Sequence, residues 1–518
     1  MMDPAELQSI TWRADLGVVW LWVLVGGLLL AGWQMRRWPW LMRRLQPLMD
    51  WAAAPHPLLW ITLAGALLRV PRLFDSLWYD EAFTARMVSL PLDQLMTAIA
   101  GDVHPPGWYG FAWLLTRLTG QSEAGLRFPS FLCGLLLIPL GHRLARALGL
   151  SERTALVYAG LVAVLPAALY FSAEARGYTL LSVLVIAALI GLLERRLWLA
   201  AVPMMLMPLV HNIGFIWFGL LTLAGMAFDW SDAPATATAW RRMAVRALAV
   251  LPGLLWLPVM LNQSSDVADG FWLQAMNAGL GLGALIDTTV TRTIQTEWAG
   301  PVLAVAIGAT IYGVAVYRRW LFGDARGRVL ALAVLGVPLA LAVIAWLWLP
   351  VYLTRALLPA GIGVALIWAR LLVERPFSRL FIGPALALAL LSFYSPSLWR
   401  FDMGRTMDAC QNAAGVYVTG IPAGLFAGYY LPAAEMRIWE QASDINQSLS
   451  REAQAAMNLQ AGTYEELPAP RCLLYLQTPN STAAERAEVE RALAGHPHTS
   501  SEYWVNRFFR IVVYQEAG

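Results

Sequence analysis

The chain has 518 residues, 58% hydrophobic and 14% charged, with a formal net charge of +3 and a mean hydropathy of +0.55. A soluble domain carries about 25% charged residues, so the composition excludes a soluble globular protein, and no nucleic-acid partner is expected. All 37 basic residues are arginine, which rules out lysine Schiff-base or lysine-nucleophile chemistry, and the 25 tryptophans suit membrane interfaces.

In chain order, "MMDPAELQSITWRADLG" is acidic and lacks the positive region of a signal peptide, so residues 16–35 read as a retained helix. A span needs about 20 apolar residues, with shorter ones tolerated inside a bundle. Twelve are expected, at about 16–35, 57–73, 127–147, 154–171, 178–194, 197–211, 213–229, 243–261, 299–317, 329–349, 353–371 and 378–395. The weakest division is at "LVHNIG" (209–214), where a polar pair interrupts one long apolar run.

Arginine sets the orientation, because positively charged short loops stay in the cytoplasm. With the N-terminus outside, the inside connections hold 19 arginines (from Arg36, Arg37, Arg43 and Arg44 through to Arg370, Arg375 and Arg379), against 8 in the outside loops up to residue 395 (Arg69, Arg72, Arg86, Arg117, Arg127, Arg176, Arg292 and Arg355). An odd number of spans would break the alternation. The segment 74–126 and everything after residue 395 then lie outside. Within the first, "LDQLMTAIAG" (92–101) and "PGWYGFAWLLTRLTG" (106–120) have helical periodicity, and Pro105–Pro106 suits a helix start. The second is expected to lie at the interface, since a crossing there would invert the downstream arginine pattern.

From about residue 396 the composition is that of a soluble domain. "GVYVTG" (415–420), "RCLLYLQ" (471–477) and "FRIVVYQ" (509–515) read as buried strands, and 444–460 and 482–495 as helices, which suggests a small α/β unit. No phosphate-binding glycine fingerprint or nucleophile motif is present there. "NST" (480–482) matches a glycosylation acceptor, but so short a match arises by chance. Of three cysteines, Cys133 lies in an apolar run, while Cys410 and Cys472 could pair if the tail faces an oxidising compartment.

Charged groups at membrane depth are costly, and they cluster here on one face. Asp80 and Glu81 follow a span directly in "SLWYDEAFTARM"; Asp102 and His104 occupy the same outer loop in "GDVHPPGWYG". "EARGY" brings Glu174 and Arg176 to the next outer turn, "HN" puts His211 at the end of another span, and "YLTRALLPA" sets Arg355 near the outer end of a further one. A carboxylate near an acceptor hydroxyl serves as a general base, and arginine at headgroup depth suits a phosphate. The plainer readings stand beside these. Asp80 and Glu81 can be a solvated loop start, Glu174 and Arg176 an outer ion pair, and His211 with Asn212 polar satisfaction between helices. His104 before two prolines is more often structural than a ligand; Asp102 and His104 are weak candidates for a divalent cation, since two residues do not make a site.

The series "YDEAF…DVHPPGWYGFAWL…SEAGLRFPSFLCG…FSAEARGYTLLS…YLTRALLPA" resembles the GT-C membrane glycosyltransferases, nearest to bacterial relatives of protein O-mannosyltransferases and the lipid A aminoarabinose transferase. The resemblance covers about residues 57–395. It implies a polytopic α-helical protein of about twelve transmembrane helices (1–395, first outer loop 74–126) with a small extracytoplasmic α/β domain (396–518). It further implies transfer of a sugar from a polyprenyl-phosphate carrier to an acceptor outside the bacterial cytoplasmic membrane, usually with inversion. On that pattern Asp80 matches the catalytic acid with Glu81 beside it, Asp102 and His104 lie near the substrates, and Arg176 and Arg355 near the lipid phosphate. No cofactor is certain. The chain departs from the pattern in an additional helix at 16–35 and in Gly107–Trp108 after the prolines. A secondary transporter or lipid flippase is the alternative; it would place its charges near the midplane and often show repeated halves. An assembly protein with a periplasmic domain would leave the clustered acids unexplained. Convergence of Asp80, Asp102 and Arg355 on one outer cavity separates the readings. Sugar, acceptor and metal dependence are not legible.

Overall fold

The computed structural model describes residues 56–102, 104–232, 236–270, 299–347, 354–394, 403–440, 454, 457, 459–477, 482–504 and 510–516. The membrane part is a bundle of helices in chain order: α1 (Pro57–Arg69), α2 (Tyr79–Ser89), α3 (Leu92–Ala100), α4 (Pro106–Thr119), α5 (Glu123–Ala147), α6 (Glu152–Val164), α7 (Pro166–Ser172), α8 (Tyr178–Leu193), α9 (Leu197–Val210), α10 (Gly214–Asp232), α11 (Ala237–Leu248), α12 (Leu251–Gly270), α13 (Ala299–Arg318), α14 (Ala325–Leu347), α15 (Leu358–Glu374) and α16 (Arg379–Phe393). Local chemistry sets several starts. Ser122 and Ser151 accept from the Gly125 and Thr154 amides at 3.2 Å as N-caps, and proline opens α1, α4 and α7, where its missing N–H costs nothing.

Each span expected from residue 57 onward falls on helix, but length limits how many cross alone. Among the described residues six helices are long and apolar enough, or seven if the α6–α7 pair, bent by 55°, is one span; α8, α9 and α10 are shorter apolar helices. The expected first span, 16–35, and the arginines after it lie outside the described residues. The bend has a stated cause. Pro166 cannot donate to the Val162 carbonyl, and buried Arg69 supplies the deficit, donating to Val162 O at 3.3 Å, Ala163 O at 2.9 Å and Ser172 Oγ at 3.0 Å. The division at "LVHNIG" is real: His211 is extended (φ −157°, ψ 141°) between α9 and α10.

After the bundle come α17 (Met403–Asp408), β1 (Gly415–Val418), α18 (Ile421–Tyr430), β2 (Glu435–Ile438), β3 (Arg471–Gln477), α19 (Ala483–Leu493), β4 (His498–Trp504) and β5 (Arg510–Glu516). They form a five-stranded mixed sheet, order β2-β1-β3-β5-β4, with β1 parallel to β2 and β3, and β5 antiparallel to β3 and β4. The three expected strands and the helix after 482 are present; β2, β4 and α18 were not expected. The expected helix 444–460 lies mostly outside the described residues, and 459–460 are not helical. Asn480 of "NST" also lies outside them. Cys410 and Cys472 are disulfide-bonded with Cα atoms 5.7 Å apart, tying the turn after α17 to β3.

The sheet domain is seated on the helices of the 74–126 segment. Its core is continuous with Leu77, Phe83, Met87 and Leu126. Helix α18 lies against α2. Tyr430 Oη accepts from the Leu77 amide at 3.0 Å, Arg86 donates to Gly428 O at 3.1 Å and to Met457 O, and Tyr429 Oη donates to Gln121 O at 2.8 Å. Helix α4 carries exposed Leu114 and Leu118 on one side and buried Trp108, Tyr109 and Ala112 on the other.

Candidate active site

Helix α2 starts with Trp78 extended and two acids in its first turn, where carboxylates face the positive end of the helix dipole. The acids then part. Glu81 folds back to accept from the Trp78 amide at 3.2 Å and is fully buried. Its carboxylate meets Arg127 of α5 through two 2.8 Å hydrogen bonds and accepts from the Ala175 amide at 2.9 Å. Arg127, equally buried, also donates to the carbonyls of Leu73 (2.9 Å), Ser76 (3.0 Å) and Asp75. One ion pair thus stitches the turn before α2, the helix itself, α5 and the turn before α8. Thr84 Oγ1 donates to Ala175 O at 3.0 Å and Ser130 Oγ to Arg176 O at 3.0 Å, so the backbone of 175–176 is held on both sides.

Asp80 points the other way. Its Oδ2 accepts from Arg355 Nη1 at 2.8 Å and lies 3.9 Å from Arg176 Nη2, while Oδ1 makes no hydrogen bond among the described residues. Arg176 is the hub. Nη2 donates to His104 Nε2 at 2.9 Å and Nη1 to Tyr109 Oη at 3.3 Å. An arginine only donates, so His104 carries its proton on Nδ1 and passes it toward Asp102 Oδ2 at 3.1 Å. Tyr109 donates to the same oxygen at 3.0 Å. Burial, then the Asp102 carboxylate, push the Tyr109 hydroxyl well above its ordinary pKa, keeping it a donor. Two glycines permit this assembly: a Cβ on Gly107 would stand 2.6 Å from Leu209 O, and one on Gly177 only 3.2 Å from Trp108 Cβ.

Around the hub, the Arg355 guanidinium lies 5.7 Å from the Tyr178 ring and 6.0 Å from the Trp78 ring. Glu174 is buried beside it and its charge acts on Arg355. His211 stands edge-on to His104 at 6.1 Å and accepts from the Ile213 amide on Nδ1, which leaves Nε2 buried with no hydrogen-bond partner among the described residues.

Of the residues marked in the sequence, Asp80, Asp102, His104, Arg176 and Arg355 are joined in one network from four separate stretches, with His211 and Glu174 at its edge. Glu81 is drawn out of that network into the pair with Arg127. Arg127 enters the sequence reading only as an outer-loop arginine, and Tyr109 only as part of the helical stretch 106–120. An ionisable residue inside the first turns of a long apolar helix was the available signal for Arg127; nothing in the sequence marks the Tyr109 hydroxyl. Among the described residues no group of three or more His, Cys, Asp or Glu side chains could hold a metal ion, and both nitrogens of His104 are engaged. What the arrangement offers chemically is an open carboxylate oxygen beside two arginines that can neutralise an anion.

A mostly helical bundle with a small C-terminal sheet domain is an arrangement found in proteins of the GT-C fold. The chain shares it with ArnT from Cupriavidus metallidurans, to which the apo structure compares at a TM-score of 0.54 and 13% identity over 88% of this chain and 97% of that one. The structure of the same protein bound to undecaprenyl phosphate compares at 0.52 and 13%, over 90% and 98%. Residues 103–256 match the family of dolichyl-phosphate-mannose-protein mannosyltransferases, a segment that contains His104, Arg176 and His211 but neither Asp80 nor Arg355. The chain resembles the GT-C membrane glycosyltransferases. No curated protein sequence matches it.

Proposed function

We infer that the protein is a glycosyltransferase that moves a sugar from a polyprenyl-phosphate carrier to an acceptor at the outer face of the bacterial cytoplasmic membrane, with inversion. The observation that carries this is the meeting of Asp80 with Arg355, 275 residues away, at 2.8 Å and beside Arg176. A free carboxylate oxygen next to two cations at one end of a bundle suits a phosphate leaving group and an attacking hydroxyl. The undecaprenyl phosphate bound by ArnT supports a carrier of that class.

In the reaction, the acceptor hydroxyl attacks the anomeric carbon and its proton passes to Asp80 Oδ1. The bond from that carbon to the phosphate oxygen breaks, and its electron pair leaves with polyprenyl phosphate. Arg355 and Arg176 neutralise the charge that grows there, worth about 3–4 kcal/mol for a well-placed donor. When the phosphate arrives it competes with Asp80 for Arg355, releasing the carboxylate for proton transfer as the donor binds. His104 and Asp102 fix Arg176, His211 Nε2–H offers a further donor, and Glu174 balances Arg355. Glu81 acts as a positioning residue. The bilayer holds the carrier, so the sugar is oriented before the acceptor arrives. The same orientation puts the N-terminus and the sheet domain (396–518) outside the cytoplasm, in keeping with the Cys410–Cys472 disulfide.

The test is transfer of radiolabelled sugar from polyprenyl phosphate to membrane acceptors by wild type and Asp80→Asn. Loss of a general base costs about 10²–10⁴ in rate. An Asp80→Asn variant that transfers at the wild-type rate removes Asp80 as the base.

A further inference from the structure

Toward the end of the bundle opposite Asp80, α10 and α14, which pack together at Leu220 and Gly336, flank a groove. Between them and the short π-helical turn Arg319–Gly323 lies a cavity of about 410 Å³, open to the outside. Its walls include Ala227, Phe228, Phe322, Leu335 and Leu339, and among the described residues Arg328 is the only polar side chain lining it. A smaller void of about 40 Å³, sharing Phe322, Ala331 and Leu335, continues it into the bundle. The volume falls in the range of ligand sites, about 300–1,000 Å³. Leu339 and Phe322 stay largely exposed beside it, which in a bundle of this hydropathy puts the opening toward lipid.

Two arginines stand at the mouth. Arg328 is exposed, and its guanidinium has no hydrogen-bond or ion-pair partner among the described residues. A second cation, Arg195, lies 5.1 Å over the ring of Phe228, itself a wall of the groove. The carboxylates within reach are already engaged. Asp229 pairs with Arg246 and Arg242, Glu194 with Arg143 at 2.6 Å and Arg196 at 3.2 Å, and Asp324 accepts from the Arg326 and Gly327 amides at 2.9 and 3.1 Å.

We propose that this groove is a binding site for a phospholipid with an anionic head group, one acyl chain lying between α10 and α14 and the phosphate on Arg328 with Arg195 nearby. The arginine offers the phosphate a bidentate, charge-assisted contact, and basic pockets between helices at a membrane surface select anionic head groups in this way. Arg328 and the end of α14 that leads to Arg355 are about 30 Å apart at 1.5 Å per residue, so the site is separate from the transfer chemistry.

The test is native mass spectrometry of the full-length protein titrated with dioleoyl phosphatidylglycerol and, separately, dioleoyl phosphatidylcholine. The wild type should retain phosphatidylglycerol about tenfold more tightly, the order of one charge-assisted contact. Arg328→Gln should erase that preference. Ala227→Trp, placed at an exposed position of α10 to fill the groove, should reduce retention of both lipids while the protein stays monodisperse. Equal affinity for the two lipids in the wild type, or an unchanged preference in Arg328→Gln, overturns the proposal; so does undiminished retention in Ala227→Trp.

Discussion

Glu81→Ala isolates the part of the site that holds Asp80 in place. The substitution removes two 2.8 Å hydrogen bonds to Arg127 and one of 2.9 Å to the Ala175 amide, and leaves a fully buried guanidinium without its counter-ion. Breaking a buried pair from one side costs about 3–5 kcal/mol, mostly the uncompensated charge. Arg127 keeps its carbonyl acceptors at Leu73 and Ser76, so the lower half of that range is expected. The loss falls on the first turn of α2 and on 174–176, not on the whole bundle, because those are the segments the carboxylate joins. Hydrogen exchange of peptides covering 76–88 reads it directly. A loss of about 3 kcal/mol speeds local opening roughly a hundredfold, at about 1.4 kcal/mol per decade. Glu81→Gln keeps the shape but cannot serve two cationic donors at full strength, and should fall between. Wild-type exchange in the 76–88 peptides of Glu81→Ala would refute the reasoning.

Arg355→Gln should lower transfer by roughly 10²–10³ without loosening α2, since it removes a donor to the leaving phosphate; an undiminished single-turnover rate counts against that role. Cys410→Ser opens a loop of 62 residues and should cost the sheet domain about 4 kcal/mol by chain entropy, seen as faster proteolysis of the region after residue 403. Unchanged proteolysis would mean that docking on α2 alone holds the domain.

Much of this molecule was written locally. Apolar length and proline or serine at helix starts place the spans, because a backbone in lipid must satisfy its own hydrogen bonds and helix is the answer available to a bundle. Short continuous apolar runs mark β1, β3 and β5, whose central residues are buried one after another, and clustering of acids, histidine and arginine marks the neighbourhood of the site. What the local signals could not decide is which of two adjacent carboxylates is free. Asp80 and Glu81 carry the same charge one residue apart, yet about 100° of helical rotation sends one to Arg355 and the other to Arg127. That outcome depends on α5 and on the stretch before α15, 46 and 275 residues distant. The Tyr109 link, the disulfide and the seat of α18 on α2 are of the same kind: each needs two side chains brought together by the packing of elements far apart in the chain, and no spacing within either element records its partner.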